Sequence, residues 1–246
     1  MTPEVRKLLA SLESGGPLNT GQMELVHCRI NDRQVTFCVD MEKDPIQRHH
    51  RHGKYYETPE LEFLRTIVKP GGIFIDIGAN TGNHALFFAL ELRASRVIPI
   101  EPNPLVYRLL ISNAAVNGLL DVIDLGFLGV GLSDKQEGGY AMEQRARNIG
   151  GARMLPGAGD IETHPGDALF GGLAPDFVKV DVEGMEMQVL RGLETTIATH
   201  RPLLFVEVDV GNDAEFHAWR DRNRYDTENV WQRYKANRNY LLTPAA

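Results

Sequence analysis

Hydrophobic and polar positions alternate in two different rhythms along this chain. Residues 24–30 and 34–39 alternate on either side of Asn31-Asp32 and predict a β-hairpin. Residues 40–56 are polar and read as irregular, with the run Q-R-H-H-R-H-G-K-Y-Y. Thr58-Pro59 predicts a helix start, Thr58 as N-cap and Pro59 at the first helical position. Leu61, Leu64 and Val68 mark its buried face, and Pro70-Gly71-Gly72 stops it. From Ile73 onward short apolar runs alternate with helical ones. Strands are expected from Ile73 to the turn after Asp76, at 96–101, at 122–130, at 177–182, at 203–209 and at 239–243. Between them lie helices whose inner faces carry Ala85, Phe88, Ala89 and Leu92, then Val106, Leu109, Leu110 and Ala114, then Met187, Leu190 and Leu193, with a last helix near 214–224. Pro99 removes one ladder donor and speaks against a central strand, but Val97, Ile98 and Ile100 around it keep the strand assignment.

This alternation predicts an α/β fold, doubly wound, with a mostly parallel sheet and right-handed crossovers. Residues 1–57 form an extension with the hairpin and the His/Arg-rich segment, and residues 58–246 form the main domain. The rhythm breaks over 131–172, which is rich in glycine and holds N-I-G-G-A-R-M; a loop or small hairpin over the edge of the sheet is expected there, and loops of that length are often functional.

Composition narrows the classes. The 246 residues suit one α/β domain with a small extension, and 43% hydrophobic with 24% charged residues is ordinary for a domain with a full core. A net charge of −7 argues against a nucleic-acid partner, the basic run 220–238 being a solvated surface by default. The first residues are too charged for a signal peptide and no apolar stretch reaches membrane-spanning length, so a cytoplasmic location without membrane contact is expected. Cys28 and Cys38 fall in the hairpin; two free thiols are expected, a bridge being conceivable only in a suitable register.

Chemistry concentrates at I-F-I-D-I-G-A-N-T-G, Ile73 to Gly82: a strand, a tight turn and a helix start, where open α/β sheets hold nucleotide-like ligands. Asn80 and Asn83 stand where a dinucleotide fingerprint needs glycines, which disfavours a buried pyrophosphate and weakens the reading as an NAD-dependent oxidoreductase. The acid before the turn favours a ligand with a positive end. S-adenosylmethionine, with an ammonium, a sulfonium and no phosphate, fits. Other acids end the remaining strands: Glu101, Asp181 with Glu183, and Glu207 with Asp209. Glu101 is placed to accept both ribose hydroxyls, and acids at four strand ends in register point to a site rather than to solvated loops.

I-D-I-G-A-N-T-G-N-H, I-E-P-N-P, V-K-V-D-V-E-G-M-E-M-Q-V-L-R-G-L-E and R-P-L-L-F-V-E-V together resemble the FkbM-type methyltransferases, over roughly residues 56–209. The first piece indicates only the general class; the K-V-D-V-E-G-M-E block makes the resemblance specific. It implies a Rossmann-like class I methyltransferase that uses S-adenosylmethionine, acting mostly on oxygen in glycan and secondary metabolism. By position, Asp76, Gly78, Ala79, Asn80, Thr81 and Gly82 would hold the methionine end, with His84 nearby. Glu101, Pro102 and Asn103 would hold the ribose end, and Asp181, Glu183 and Gly184 would face the methyl group and the acceptor. The catalytic candidates are Asp181, Glu183 and Glu207, as a base or as the seat of a divalent cation such as Mg or Mn.

A small-molecule or glycan acceptor is expected, and a homo-oligomer is conceivable. Methylation of an amine or peptide, and a non-catalytic cofactor-binding module, are the competing readings. His49, His50 and His52 lack the spacing of a metal site on one helix face. Arg48, Arg51 and Lys54 beside them suit an anionic acceptor, against the plainer reading of a solvated loop.

Overall fold

The structure, a computed structural model, describes residues 3–143, 145, 149–157 and 159–245. Helix α1 (Pro3–Glu13) lays Val5, Leu8, Leu9 and Leu12 on the core. Asn31 and Asp32, both with positive φ (46° and 65°), make the two-residue turn that joins β1 (Glu24–Ile30) to β2 (Arg33–Val39), as an Asn-Asp pair between alternating runs predicts. In this register Cys28 opposes Val35 and Cys38 opposes Leu25, so the two thiols are not partners and both are free.

The expected irregular stretch after the hairpin contains a helix, α2 (Pro45–Arg51). The Asp44 side chain accepts the N–H groups of Ile46 and Gln47, and Pro45 opens the first turn, so an Asp-Pro start overrides the polarity of the segment. Helix α3 (Thr58–Ile67) begins one residue earlier than expected in capping terms. Its N-cap is Glu57, in a left-handed conformation, while the Thr58 hydroxyl donates back to the Tyr55 carbonyl.

The main sheet then builds from β3 (Ile73–Ile77), helix α4 (Asn83–Leu90), β4 (Arg96–Ile100) and helix α5 (Pro104–Val116), β3 and β4 running parallel. No strand forms over 122–130. Val97 exchanges backbone hydrogen bonds with Val122 and Asp124, and there the pairing ends. Pro99, two residues on and facing the same edge, has no N–H to continue the ladder, and the Asp124 carboxylate caps a short turn at Leu125–Phe127. Strand β4 is therefore an edge strand, which reconciles Pro99 with the sheet.

The described residues of 131–172 build more than the expected loop or small hairpin. β5 (Gly131–Leu132), β6 (Glu137–Met142), β7 (Met154–Pro156) and β8 (Ile161–His164) form a small mixed sheet in the order β5-β8-β6-β7, followed by the short helix α6 (Gly166–Leu169). Asn148 of the N-I-G-G-A-R-M segment lies outside the described residues.

The chain returns to the main sheet with β9 (Phe177–Val180), helices α7 (Glu186–Gly192) and α8 (Glu194–His200), β10 (Leu203–Asp209), helix α9 (Asp213–Arg222), β11 (Tyr225–Trp231) and β12 (Asn237–Pro244). The order is β11-β12-β10-β9-β3-β4. The last two strands correct the expectation of a sheet parallel to its end: β12 is antiparallel to both neighbours, and β11 was not foreseen. The short connection over residues 232–236 between β11 and β12 allows only a hairpin, whereas parallel neighbours need a long crossover.

Each buried strand is apolar on both faces, as a covered parallel sheet requires. One face sets Phe74, Phe177, Phe205 and Leu241 against Phe87, Phe88 and the α3–α5 layer; the other sets Ile75, Val178, Val180 and Val206 against Leu190, Leu193 and Phe216. On the first face, two residues beyond the phenylalanines, the side chains become polar: Asp76 on β3, Lys179 on β9, Glu207 on β10 and Asn239 on β12. Asp76 and Lys179 sit opposite each other in the register.

Lys179 is 1% exposed and Asp76 0%. Replacing Lys179 by Met leaves the buried Asp76 and the part-buried Asp181 without their cation. Such a change is expected to cost about 3–5 kcal/mol in a chemical denaturation experiment, and Asp76→Asn combined with Lys179→Met should cost less than the two single changes added together.

Candidate active site

The turn after β3 is clamped by backbone hydrogen bonds before any ligand is considered. The N–H groups of Gly78 and Ala79 both donate to the Ile100 carbonyl (2.9 and 3.0 Å), tying the turn to the end of β4. Gly78 has φ +75°, and a Cβ there would lie 1.8 Å from the Asp181 carbonyl oxygen, so this position accepts glycine alone. Asn80 follows in a left-handed conformation, and its N–H donates to Glu101 Oε2 (2.9 Å). Glu101 Oε1 accepts the N–H of Asn103 (2.8 Å). Glu101 is 7% exposed, and burial pushes its carboxyl up to about 7 against the pull of these two N–H donors. Each oxygen keeps a free lone pair.

Behind the turn sits Lys179. Its ammonium lies 3.3 Å from Asp76 Oδ1, 3.2 Å from Asp181 Oδ2 and 3.2 Å from the Gly78 carbonyl oxygen. Burial works against its charge, but Asp181 and Asp76 outweigh burial and hold it protonated. Asp76 is therefore placed to support the turn from within, fully buried behind it. Ala79 and Thr81 are likewise buried, and Gly82 is the N-cap of α4 against Leu110. His84 is buried too; its Nε2 lies 3.4 Å from Glu57 Oε2, and Glu57 also accepts from Asn239 Nδ2 (3.3 Å).

The remaining acids lie beyond Asp181. Glu183 is pushed up to about 7 by burial and then by the charges of Asp181 and Asp209, which outweigh Arg145 and Arg153. Glu207 is raised well above the usual carboxylate range by burial and by Asp181, Glu57 and Glu183, and its Oε1 accepts from Asn237 Nδ2 (2.6 Å). Asp209 is tied to Arg153 (3.0 Å), and the buried Glu186 takes the Asp209 N–H (2.8 Å). Among the described residues no group of three or more His, Cys, Asp or Glu side chains is arranged to hold a metal ion.

A narrow cavity of about 60 Å³ brings together Gly78, Asn80, Glu101, Pro102, Asn103, Asp181 and Glu183. Asp76, Ala79, Thr81, Gly82, His84 and Glu207 do not line it. Its cover comes from the small sheet: Met142, Ile149, Gly150, Ala152 and Met154. Gly150 packs so tightly on the Asn80 amide that a Cβ would come within 1.8 Å of it. A wider cleft of about 820 Å³ adjoins, sharing Pro102, Asn103, Met142 and Ile149 as walls. Small-molecule sites occupy about 300–1,000 Å³, so a cofactor-sized ligand needs the wider cleft as well as the narrow cavity. The residues present fit S-adenosylmethionine: a bare glycine backbone at the floor, the N-terminus of α4, and a two-oxygen acceptor in Glu101 for vicinal hydroxyls.

The residues singled out around position 50 divide. His50 is 0% exposed, stacks on Phe37 (4.2 Å between centroids), and its Nε2 donates to Asn83 Oδ1 (3.1 Å); burial drops it to about 4, so it is a neutral core side chain. His49 and His52 are exposed, their Nδ1 atoms bonded to the carbonyls of Pro45 and Arg48. Arg51 pairs with Glu24, whereas Arg48 and Lys54 make no ion pair among the described residues. Sequence reading passed over Lys179 and Glu57. The signal for Lys179 was present: a lysine inside F-V-K-V, a strand apolar on both faces, needs a buried partner.

The family profile described as the methyltransferase FkbM domain matches residues 76–227, more than half of the chain. No curated protein matches. Among solved structures, an FkbM methyltransferase from Methylobacillus flagellatus KT is similar at 18% identity and a TM-score of 0.51, over 75% of this chain and 51% of that one, so the chain spans about half the length of that relative. A precorrin 8W decarboxylase from Methanobacterium thermoautotrophicum is similar at 15% identity and a TM-score of 0.50, over 77% of this chain and 91% of that one. At such identities the likeness speaks for the fold alone.

The raised carboxyls have a consequence for stability. A carboxyl whose folded pKa exceeds its unfolded value favours folding below the unfolded pKa, and that contribution is lost as pH rises through the folded value. Glu207→Gln removes the ionising group and keeps an acceptor for Asn237. The variant should therefore melt higher than the parent above pH 8, by at least about 3 °C, with the gap closing toward pH 4. Parallel melting curves across that range check this.

Proposed function

We propose, from the premise that this chain belongs to the FkbM family of S-adenosylmethionine-dependent methyltransferases, that it methylates a hydroxyl oxygen of a sugar or secondary metabolite. The observation that carries this reading is Glu183: a carboxyl at the cavity wall, beside the glycine turn, poised near neutrality by burial and by neighbouring acids. When bound, the cofactor supplies an electrophilic methyl group on sulfur. The chain has to align an acceptor oxygen with it, and alignment alone is worth several kcal/mol.

A hydroxyl must also lose its proton as the new bond forms, and a base is most effective when its pKa lies near the working pH. Glu183 meets that condition. Asp181 is committed to Lys179 and Glu207 lies away from the cavity, so Asp181 serves to position and, with Asp209, to keep Glu183 raised. A neutral amine attacks with a lone pair already free, so an amine acceptor leaves Glu183 without a task. That favours oxygen over nitrogen. Glu101 takes the ribose hydroxyls with the lone pairs its N–H donors leave free.

The test combines an acceptor screen read as a one-methyl mass gain with two variants. Glu183→Gln should bind S-adenosylhomocysteine as the parent does and turn over about a hundredfold more slowly. Glu101→Ala should weaken S-adenosylhomocysteine binding by about 1–3 kcal/mol by calorimetry. Full turnover in Glu183→Gln sinks the assignment of the base. Turnover lost to a chelator and restored by magnesium or manganese moves the chemistry to a divalent cation.

A further inference from the structure

A second groove, of about 1,010 Å³, runs along helix α2 on the side of the sheet that carries the phenylalanines. Its walls come from the β1–β2 turn, from α2 and the chain that follows it into α3, and from the connection between β11 and β12. Arg48 and Lys54 project into it as exposed cations, and neither makes an ion pair among the described residues. The opposite wall is aromatic. The Tyr56 hydroxyl lies 3.2 Å from that of Tyr234, the Arg233 guanidinium covers one face of Tyr56 at 4.6 Å, and Glu60 holds that guanidinium with both oxygens (2.9 Å each). Arg233 is thus neutralised and fixed, while the Tyr234 ring stays 49% exposed.

The floor of the groove connects to the acids. Glu57 lines it, and Asn239, which reaches Glu57, is the cross-strand partner of Glu207. The acidic residues Glu57 and Glu62 in the lining are already engaged, Glu57 by His84 and Asn239, Glu62 by Arg65. The free charge of the groove is therefore positive, on a chain whose net charge is −7. Two unpaired cations facing an exposed aromatic ring suit a polar ring compound that carries an anionic group.

Resting on the methyltransferase reading above, we infer that this groove receives the acceptor, and that the acceptor is a sugar-sized molecule bearing a phosphate or carboxylate. Arg48 and Lys54 take the anion, and Tyr234 takes the ring. The acceptor's hydroxyl end then lies at the Glu57 end of the groove, the end that Asn239 links to Glu207.

Calorimetry on the full chain loaded with S-adenosylhomocysteine tests this, with glucose 6-phosphate, glucuronate, inorganic phosphate and glucose as probes. At least one anionic sugar should bind about tenfold or more tightly than both glucose and inorganic phosphate, and the phosphate and carboxylate arms tell which anion is preferred. Arg48→Gln with Lys54→Gln should erase that preference while leaving S-adenosylhomocysteine affinity unchanged, which also reports that the variant is folded. The proposal is overturned if S-adenosylhomocysteine binds but neither sugar anion exceeds glucose, if inorganic phosphate binds as tightly as the sugar anions, or if the preference survives the double substitution. Failure of S-adenosylhomocysteine itself to bind overturns the methyltransferase reading, and this inference with it.

Discussion

A buried ammonium holds this site together. Lys179 has no water to solvate it, so its charge is stable only because Asp76, Asp181 and the Gly78 carbonyl converge on it within 3.3 Å. Those three groups belong to β3, to the turn and to the end of β9, so one cation fixes the relative height of two strands and the backbone between them. The same contact explains why an acid precedes the glycine turn in a strand that is otherwise apolar. Asp76 is the counter-charge of a lysine, and the turn it supports is the part that lines the cavity.

Around that anchor the carboxylates separate by environment. Glu101 is held by two backbone donors, Asp181 by the lysine, Asp209 by Arg153. Among the described residues Glu183 and Glu207 make no ion pair, and burial with the neighbouring acids raises both. Groups of one chemical type pushed apart in pKa by burial and by one another divide the labour of acid, base and support. Of the two raised carboxyls that line the cavity, Glu101 is held by its backbone donors, which leaves Glu183 free to exchange a proton near neutral pH.

Much of the backbone was legible in the chain. The hairpin follows from Asn31-Asp32 between alternating runs, and the strand–turn–helix unit at 73–90 from four apolar strand positions around Asp76 and two glycines. Three features were not legible there. Helix α2 was missed because its start depends on one side chain, Asp44, reaching two N–H groups, while the segment's polarity suggested a loop. The strand at 122–130 was lost because Pro99, on the neighbouring strand, cannot pair with it. The parallel ending gave way to a hairpin because too few residues separate β11 from β12 for a crossover.

By itself, then, the sequence determined the alternation of strands and helices, the tight turn and the acids at the strand ends, because periodicity and glycine conformation act over a few residues. Only the tertiary structure decided what each acid does. Asp76 and Lys179 are far apart in the chain and become partners only when β3 and β9 pair in one register, a choice set by packing of Phe74 on Phe177. The same holds for Glu57, brought to Asn239 and His84 by the packing of α3 on the sheet. Charge and burial are properties of neighbours in space, and for these side chains the neighbours come from other elements of the fold.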